Sequence, residues 1–354
     1  MSEAFRSIHE LQQALARHGY IADRSLATAL YLSLKLPRPL FLEGEAGVGK
    51  TEVARTLAAV LGTDLIRLQC YEGLDVSTAV YEWNYARQMM RIRLIEAGMR
   101  VEKHQHQPPD LDTAPADPPT GTPAHEHVPS PGTAHSIHFH PHTAPGLDEA
   151  HLFGPEFLIE RPLLQAVTYR GPGRPVLLID ELDRADEEFE AFLLELLSDF
   201  QITVPEVGTF RPARPPAVVI TSNRTREVHD ALKRRCLYHW IEYPSFEKEV
   251  AVLEARLPQV PRALAMQVVG LVQQLRRMDL YKLPGVAETL DWAAALLALE
   301  QQTLTVQLVS DTLGALLKHQ EDIEKVRENL PGLVKEVTDQ AHHRAVEHRA
   351  GDTR

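Results

Sequence analysis

The chain has 354 residues, enough for two domains that each bury a hydrophobic core. Its formal net charge of -12 argues against a protein that holds nucleic acid through clustered basic side chains, so nucleic acid is an unlikely partner. Cys70 and Cys236 lie in separate segments without a CxxC spacing, which suggests neither a disulfide framework nor a zinc site.

The first hundred residues predict two helices followed by alternating strands and helices. Apolar residues recur at helical spacing from Leu11 to Leu36, with a break at Gly19. A short apolar run then ends in a glycine-rich turn, after which helical spacing returns. The elements predicted beyond Gly19 are a strand at Pro39 to Glu43, a helix at Val53 to Leu61, a strand at Asp64 to Cys70 and a long helix at Tyr81 to Ala97.

Between His104 and Pro145 the composition shifts to Pro, His, Thr, Ala and Gly, with almost no large aliphatic residues to bury. We predict a disordered insert over residues 104-146. Imidazoles two positions apart on a flexible chain can capture nickel, copper or zinc. The alternative is a hydrophilic linker whose histidines are incidental. The histidines concerned are His104, His106, His125, His127, His135, His138, His140 and His142.

The second half of the chain predicts more strands and then helices alone. In order, the elements are a helix at Leu152 to Ala166, a strand at Pro175 to Asp180, a helix with Phe189, Leu193 and Leu196 on its apolar face, a hairpin over 201-212, and strands at Ala217 to Ser222 and Leu237 to Tyr243. The clearest later helices are Ala263 to Leu275 and Val286 to Leu299. This order indicates a parallel α/β domain over 1-244 and a small helical domain over 245-354.

Residues 44-51, GEAGVGKT, match the pattern GxxxxGK[ST] between a predicted strand and a predicted helix. In such a loop the backbone N–H groups converge on phosphates, Lys50 can reach the β and γ phosphates, and the Thr51 hydroxyl can ligate magnesium. The pattern predicts ATP and Mg²⁺ as ligands of a P-loop NTPase with a three-layer αβα sandwich. The nucleotide contacts expected in this segment are Gly44, Ala46, Gly47, Val48, Gly49, Lys50, Thr51 and Glu52.

Polar residues follow the later strands where ligands bind in open α/β folds. Asp180 can hold magnesium together with Thr51, and Glu181 can act as the base that polarises the attacking water. Asn223 can bond both the γ-phosphate and that water. Arg234 and Arg235 precede a strand, where either can reach a neighbouring subunit's γ-phosphate or simply decorate the surface.

These motifs, in this order, resemble those of the AAA+ ATPases, and within them the MoxR branch. The chain is most similar to the CoxD-like ATPases of carbon monoxide dehydrogenase maturation. The segments that carry the likeness are LEGEAGVGKTEVA, LQCYEGLDVSTAVYEWNYARQ, FLIERPLLQA, LLIDELDRADEEFEAFLLELLSDFQ, ITSNRTRE and ALKRRCLYHWIEYP. The resemblance implies that the helical domain is an AAA+ lid.

The resemblance also implies roles for single residues. It makes Asn223 the first sensor and Arg235 the arginine finger, with Arg234 as a competitor. Tyr20 and Ile21 match the segment that contacts adenine. The implied assembly is a hexameric ring with active sites between subunits, in which the finger is supplied by a neighbour.

The implied function is ATP hydrolysis that remodels or matures a client metalloenzyme, by insertion or activation of a metal centre in a molybdenum hydroxylase. A von Willebrand factor A domain protein is the implied adaptor. The alternative is a nucleotide-switched metal-handling chaperone that uses the His-rich insert. The segment from Leu283 to Leu290 lacks the Arg expected of a second sensor, although Lys282 can substitute.

Two further features remain open at the level of sequence. Tyr81, Trp83 and Tyr85 can grip a client protein at a ring surface or can simply be packed. The first residues lack the apolar core of a signal peptide, and no stretch reaches about 18 uncharged apolar residues. We therefore expect a cytoplasmic protein that does not enter a membrane.

Overall fold

The computed structural model describes residues 5–105 and 153–351. Nearly all of the predicted His-rich insert falls outside these ranges, so both interpretations of it stay predictions. The chain divides into two compact units. The larger comprises Met1–Glu82, Glu160–Val204 and Gly208–Arg354, and the smaller comprises Trp83–Ile159 and Pro205–Val207.

The regular elements alternate between helix and strand up to residue 241 and are helical after it. The helices are α1 (Ile8–Arg17), α2 (Arg24–Lys35), α3 (Lys50–Leu61), α4 (Val76–Ala79), α5 (Tyr85–Gln105), α6 (Pro162–Val167), α7 (Glu187–Asp199), α8 (Asp230–Lys233), α9 (Phe246–Arg256), α10 (Arg262–Leu275), α11 (Val286–Ala298), α12 (Val306–Leu316) and α13 (Gln320–Gly351). The strands are β1 (Leu40–Gly44), β2 (Leu65–Gln69), β3 (Tyr81–Trp83), β4 (Leu158–Glu160), β5 (Val176–Asp180), β6 (Ile202–Val204), β7 (Gly208–Phe210), β8 (Ala217–Ser222) and β9 (Leu237–Ile241).

Five strands form a parallel sheet in the order β2-β5-β8-β1-β9. Their register places Gln69 beside Asp180 and Glu43 beside Ser222. All five carboxyl ends therefore meet at one edge of the sheet. The predicted hairpin is also present, as the antiparallel pair β6 and β7.

The sheet is buried on both faces. Leu42, Leu178 and Val219 belong to a core shared with α1, α2 and α3. Leu177 and Ile220, which alternate with them along their strands and so face the opposite side, are also fully buried. The predicted α/β sandwich with a parallel sheet is confirmed.

The helical region after β9 has a core of its own, built from α9 to α13. Trp292 is fully buried in it, and its indole N–H donates to the Thr312 hydroxyl at 2.9 Å. The prediction of helices alone beyond the last strand is confirmed. Within the described ranges, no helix is both long and apolar enough to cross a membrane.

The prediction of one helix from Tyr81 to Ala97 is wrong at its start. Tyr81–Trp83 is strand β3, and α5 begins at Tyr85. Aromatic residues favour extended backbone. The carboxamide oxygen of Asn84 accepts a bond from the backbone N–H of Arg87, which is how such a residue starts a helix.

The prediction of a helix from Leu152 to Ala166 is largely wrong. Pro155–Phe157 forms a single 3-10 turn, strand β4 follows, and only Pro162–Val167 is α-helical. A proline disfavours helical backbone in the residue before it, and Arg161 is indeed extended, at φ -97° and ψ 171°. Pro162 is instead the first residue of α6, where its missing N–H costs nothing.

Candidate nucleotide-binding site

The loop between β1 and α3 has the backbone that its glycines allow. Gly47 and Gly49 lie in the left-handed region at φ 76° and 92°, where a side chain would be strained. Gly49 is the residue before the first turn of α3. The loop thus wraps the positive end of a 12-residue helix, which is the geometry that suits a bound phosphate.

Lys50 is held inside this loop. Its Nζ donates to the carbonyl oxygens of Gly44 at 2.8 Å and Glu45 at 2.6 Å. Burial lowers the pKa of the ammonium group to about 8, although Asp183, Glu45 and other nearby carboxylates act in the opposite direction. The ammonium therefore lies where its charge is poorly solvated and is available to a phosphate.

Asp180 ends β5 with its carboxylate almost fully buried. Its Oδ1 accepts bonds from the hydroxyls of Thr51 at 3.0 Å and Thr221 at 2.6 Å. In the described part of the chain, no group of three or more His, Cys, Asp or Glu side chains can hold a metal. The carboxylate and hydroxyl oxygens fit Mg²⁺ as a partial set completed by the phosphates of a nucleotide, which is how this ion usually binds.

Glu181 has a backbone conformation that a non-glycine residue rarely adopts, at φ 55° and ψ 51°. Its Oε2 accepts from Gln69 at 3.1 Å and Arg184 at 3.2 Å, and Nδ2 of Asn223 lies 3.5 Å from its Oε1. Such strain persists only where surrounding contacts impose it, and it clusters at functional sites. The carboxylate is partly exposed at the pocket wall, beside Asn223.

Motif analysis missed Asp183, which fixes the loop after β8. The side chain is buried, and its Oδ1 accepts from the backbone N–H of Asn223 at 3.1 Å. Its Oδ2 accepts from the backbone N–H and the hydroxyl of Thr225 at 2.9 and 2.6 Å. The only available signal was that Asp183 is the third acidic residue of the sequence DELD, and an acidic residue on a turn is too common to be informative.

Most of these groups line one pocket of about 400 Å³, but Asp183 and the predicted contact Gly44 are not among its lining residues. Tyr20 and Ile21 line it at the end beside α9, and a Cβ placed on Gly49 would lie 3.9 Å from Cε2 of Tyr20. Burial raises the pKa of the Tyr20 hydroxyl. The predicted contacts that line this pocket are Tyr20, Ile21, Ala46, Gly47, Val48, Gly49, Lys50, Thr51, Glu52, Asp180, Glu181 and Asn223.

Two ion pairs join α9 to the sheet domain beside this pocket. Arg256 contacts the carboxylate of Glu52 at 3.0 Å, and Lys248 contacts that of Asp23 at 3.0 Å. Glu52 therefore faces the helical region as well as the pocket. The pairs are partly exposed, so each contributes little stability alone.

The beginning of α11 lies directly on the phosphate loop. The carbonyl of Gly47 accepts from the N–H groups of Val286 at 2.9 Å and Ala287 at 3.3 Å. A Cβ on Gly285 would lie 2.8 Å from Cα of Gly47. This is the segment in which the sequence offers no second-sensor Arg, and its contact to the loop is made by main chain. Lys282 is exposed and is not among the residues that line the pocket.

We expect Gly285→Ala to weaken nucleotide binding by about tenfold, because the added methyl group meets the loop backbone at Gly47 and at the Ala46 carbonyl, 2.9 Å away. The φ of Gly285 is -83°, so alanine adds no backbone strain and the effect is steric. Titration with a fluorescent ATP analogue measures it. The control is Gly314→Ala on α12, where the new Cβ meets nothing within 4 Å. Equal affinity in the two variants would contradict the prediction.

Arg234 and Arg235 lie outside the pocket, and both are exposed. The guanidinium of Arg235 is held within the chain, by the Ser198 hydroxyl at 2.5 Å and the Ala231 carbonyl at 3.0 Å. That of Arg234 makes no hydrogen bond or ion pair to the residues that the structure describes. Arg38 donates to the backbone carbonyls of both residues, which fixes the turn that carries them.

Comparisons with known proteins find one matching family model and several similar solved structures. Residues 39–105 match the model of the AAA domain of the dynein-related subfamily, a segment that holds β1, the phosphate loop, α3 and β2. No curated protein matches the chain. Among solved structures, two variants of RuvB from Thermotoga maritima are similar at 15% and 14% identity, with TM-scores of 0.41 and 0.42. A third RuvB structure, titled a Holliday junction branch migration motor, has 14% identity and a TM-score of 0.38. Each alignment covers 88% of this chain and 72% of the other.

The parallel sheet, the phosphate loop and the helical region define the class: a P-loop α/β protein with a C-terminal helical region. Residues 39–105 are similar to an AAA domain of the dynein-related subfamily.

Proposed function

We propose that the chain is an ATPase that works as a subunit of a ring and couples ATP hydrolysis to the remodelling of a client protein. The observation that supports hydrolysis is the convergence of Lys50, Thr51, Asp180, Glu181 and Asn223 on one pocket, although they come from three separate strand ends. A phosphate loop alone accounts for nucleotide binding but not for hydrolysis. A carboxylate held next to a neutral amide at the same edge accounts for activation of a water.

Each side chain has a role that its position suits. Lys50 and the loop N–H groups bind the β and γ phosphates, and Thr51 and Asp180 would hold Mg²⁺, which neutralises charge on those phosphates when bound. Glu181 takes a proton from the attacking water. Asn223 donates through its amide to the γ-phosphate and orients the water.

The exposed arginines support a ring. The resemblance favours Arg235 as the finger, but its guanidinium already bonds to Ser198 and Ala231. Arg234 extends from the same fixed turn with its guanidinium available. We therefore assign to Arg234 the contact with a neighbour's γ-phosphate, and to Arg235 the packing of its own turn against α7.

The test is ATP turnover against protein concentration for the parent, Arg234→Ala, Arg235→Ala, and mixtures of each with Lys50→Ala. A ring requires turnover per subunit to rise with concentration. Arg234→Ala is expected to lose about 10²-fold or more of the turnover, and mixing with Lys50→Ala should restore part of it, because each subunit keeps what the other lacks.

The matched variant is Arg235→Ala, which removes an arginine one residue away and should lose less. If Arg234→Ala is fully active and turnover per subunit is independent of concentration, a ring with a shared arginine is wrong. If instead Arg235→Ala alone shows loss and rescue, the ring stands and the finger is Arg235.

The client role rests on the sequence resemblance to the MoxR branch and its CoxD-like members. This resemblance implies that the client is a molybdenum hydroxylase and that the adaptor is a von Willebrand factor A domain protein. Addition of a hydroxylase that lacks its complete metal centre should raise ATP turnover, and the mature enzyme should not. Equal turnover with both forms would remove this client from the proposal.

A further inference from the structure

Arg67 and Gln69 reach the acidic side chains of the site from the edge strand β2. Residues two apart on a strand point to the same face. The register places Arg67 beside Leu178 and Gln69 beside Asp180. Nε and Nη2 of Arg67 donate to Oδ2 of Asp180, at 3.0 and 2.6 Å.

The two oxygens of Asp180 consequently have separate partners. Oδ1 accepts from the hydroxyls of Thr51 and Thr221, whereas Oδ2 is taken by the guanidinium. The Asp180 side chain is 3% exposed, and a carboxylate so buried is costly without a compensating charge. Arg67 supplies that charge and settles which oxygen faces Thr51.

We infer that Arg67 is a positioning residue for the metal site. It holds Oδ2 of Asp180 so that Oδ1 faces Thr51, and it balances the carboxylate so that a divalent metal binds together with the nucleotide rather than alone. The inference rests on the proposed ATPase function.

The charge and the shape of Arg67 have separable effects. Without the Arg67 charge, Asp180 keeps the attraction of the Lys50 ammonium but loses the guanidinium that is hydrogen-bonded to it. A buried carboxylate with less compensating charge attracts divalent cations more strongly. Lysine keeps the charge but has a single nitrogen in place of the planar fork. It cannot bond to Asp180 and also reach the Gln69 carboxamide, which Nη2 of Arg67 contacts. Gln69 in turn donates to Glu181, so the fork also supports the proposed base.

The first test is Mn²⁺ binding to the full chain without nucleotide, followed by electron paramagnetic resonance. The proteins are the parent, Arg67→Gln, Arg67→Lys and the control Arg262→Gln. Arg262 forms an exposed ion pair with Glu254 at 2.8 Å, outside the pocket. We expect the Kd for Mn²⁺ to fall about tenfold or more in Arg67→Gln. It should stay within about twofold of the parent in Arg67→Lys and Arg262→Gln.

The second test separates kcat from KM. We expect kcat to fall about tenfold in Arg67→Gln and to be partly restored in Arg67→Lys, with the KM for ATP changed by less than about twofold. Equal Mn²⁺ affinity in the parent and Arg67→Gln overturns the inference, as does equal tightening in the Gln and Lys variants.

Failure of the proposed function and failure of the role of Arg67 give different results. If Arg67→Gln does not fold, as judged by circular dichroism, Arg67→Lys decides: a lowered kcat at unchanged KM supports the positioning role, and a parental kcat overturns it. If the parent itself fails to hydrolyse ATP, the proposed function fails. If the parent hydrolyses ATP and Arg67→Gln binds Mn²⁺ with parental affinity, only the proposed role of Arg67 is wrong.

Discussion

Glu181→Gln is expected to lower ATP turnover by about 10²- to 10⁴-fold, the range that a general base contributes. An amide cannot take the proton of the attacking water. The change keeps the size of the side chain and an acceptor oxygen, so contacts from Gln69 and Arg184 are only partly disturbed. Nucleotide affinity should stay within about twofold of the parent, because the phosphate contacts come from the loop and Lys50. Phosphate release and equilibrium binding measure the two quantities.

The control for this substitution is Glu187→Gln. Glu187 lies in the first turn of α7 and is exposed to solvent. Its substitution by Gln removes the same charge a few residues away from Glu181. Its turnover should match that of the parent. If Glu181→Gln hydrolyses ATP at the parental rate, the base has been assigned to the wrong residue.

Lys50→Ala is expected to weaken ATP binding itself by about 10- to 100-fold, since hydrogen bonds to charged groups are worth about 1.5 to 3 kcal/mol. The loop holds the buried ammonium directly, through the carbonyls of Gly44 and Glu45. Titration with a fluorescent ATP analogue gives the dissociation constant. Lys335→Ala, which removes an exposed lysine from α13, should leave it unchanged.

The same lysine sets the pH dependence of binding. Its pKa in the protein is about 8, so it loses its proton as the pH rises through that value. Phosphate groups are already fully charged there, since they titrate near pH ~6. ATP affinity should therefore be highest below pH 8 and fall above it, and in Lys50→Ala this dependence should vanish. A parental affinity that is flat from about pH 7 to 9.5 would contradict the role of the Lys50 charge.

The fold was predictable where the local pattern and the chemistry agree. The apolar runs at β1, β5 and β8 each end at a polar or glycine residue, and buried parallel strands have that appearance. The segments around β3 and β4 were not predictable as strands. Apolar and aromatic residues with helical spacing masked them, and their form depends on Asn84 and Pro162.

Part of the polar framework of the site was also not predictable from the motifs. Arg67 and Gln69 sit in a strand whose pairing with β5 is decided by the tertiary fold, so nothing local links them to Asp180 and Glu181. Asp183 acts through backbone N–H groups that lie 40 and 42 positions away in the chain. The hydrogen bonds from the beginning of α11 to Gly47 are made by main-chain atoms, and the one requirement on residue type, a glycine at position 285, becomes visible only once the two segments are in contact.

The left-handed backbone of Glu181 lowers the stability of the fold at the same position where the proposed base is needed for ATP turnover. Strain of this kind costs about 1 to 3 kcal/mol. Glycine at the same position would release the strain, and the proposed base would be lost with it. A chain selected only for resistance to heat would therefore gain by discarding this carboxylate while keeping the sheet and the phosphate loop. If Glu181 is the proposed base, the cost of its left-handed backbone is the cost of keeping a carboxylate at this place in the site.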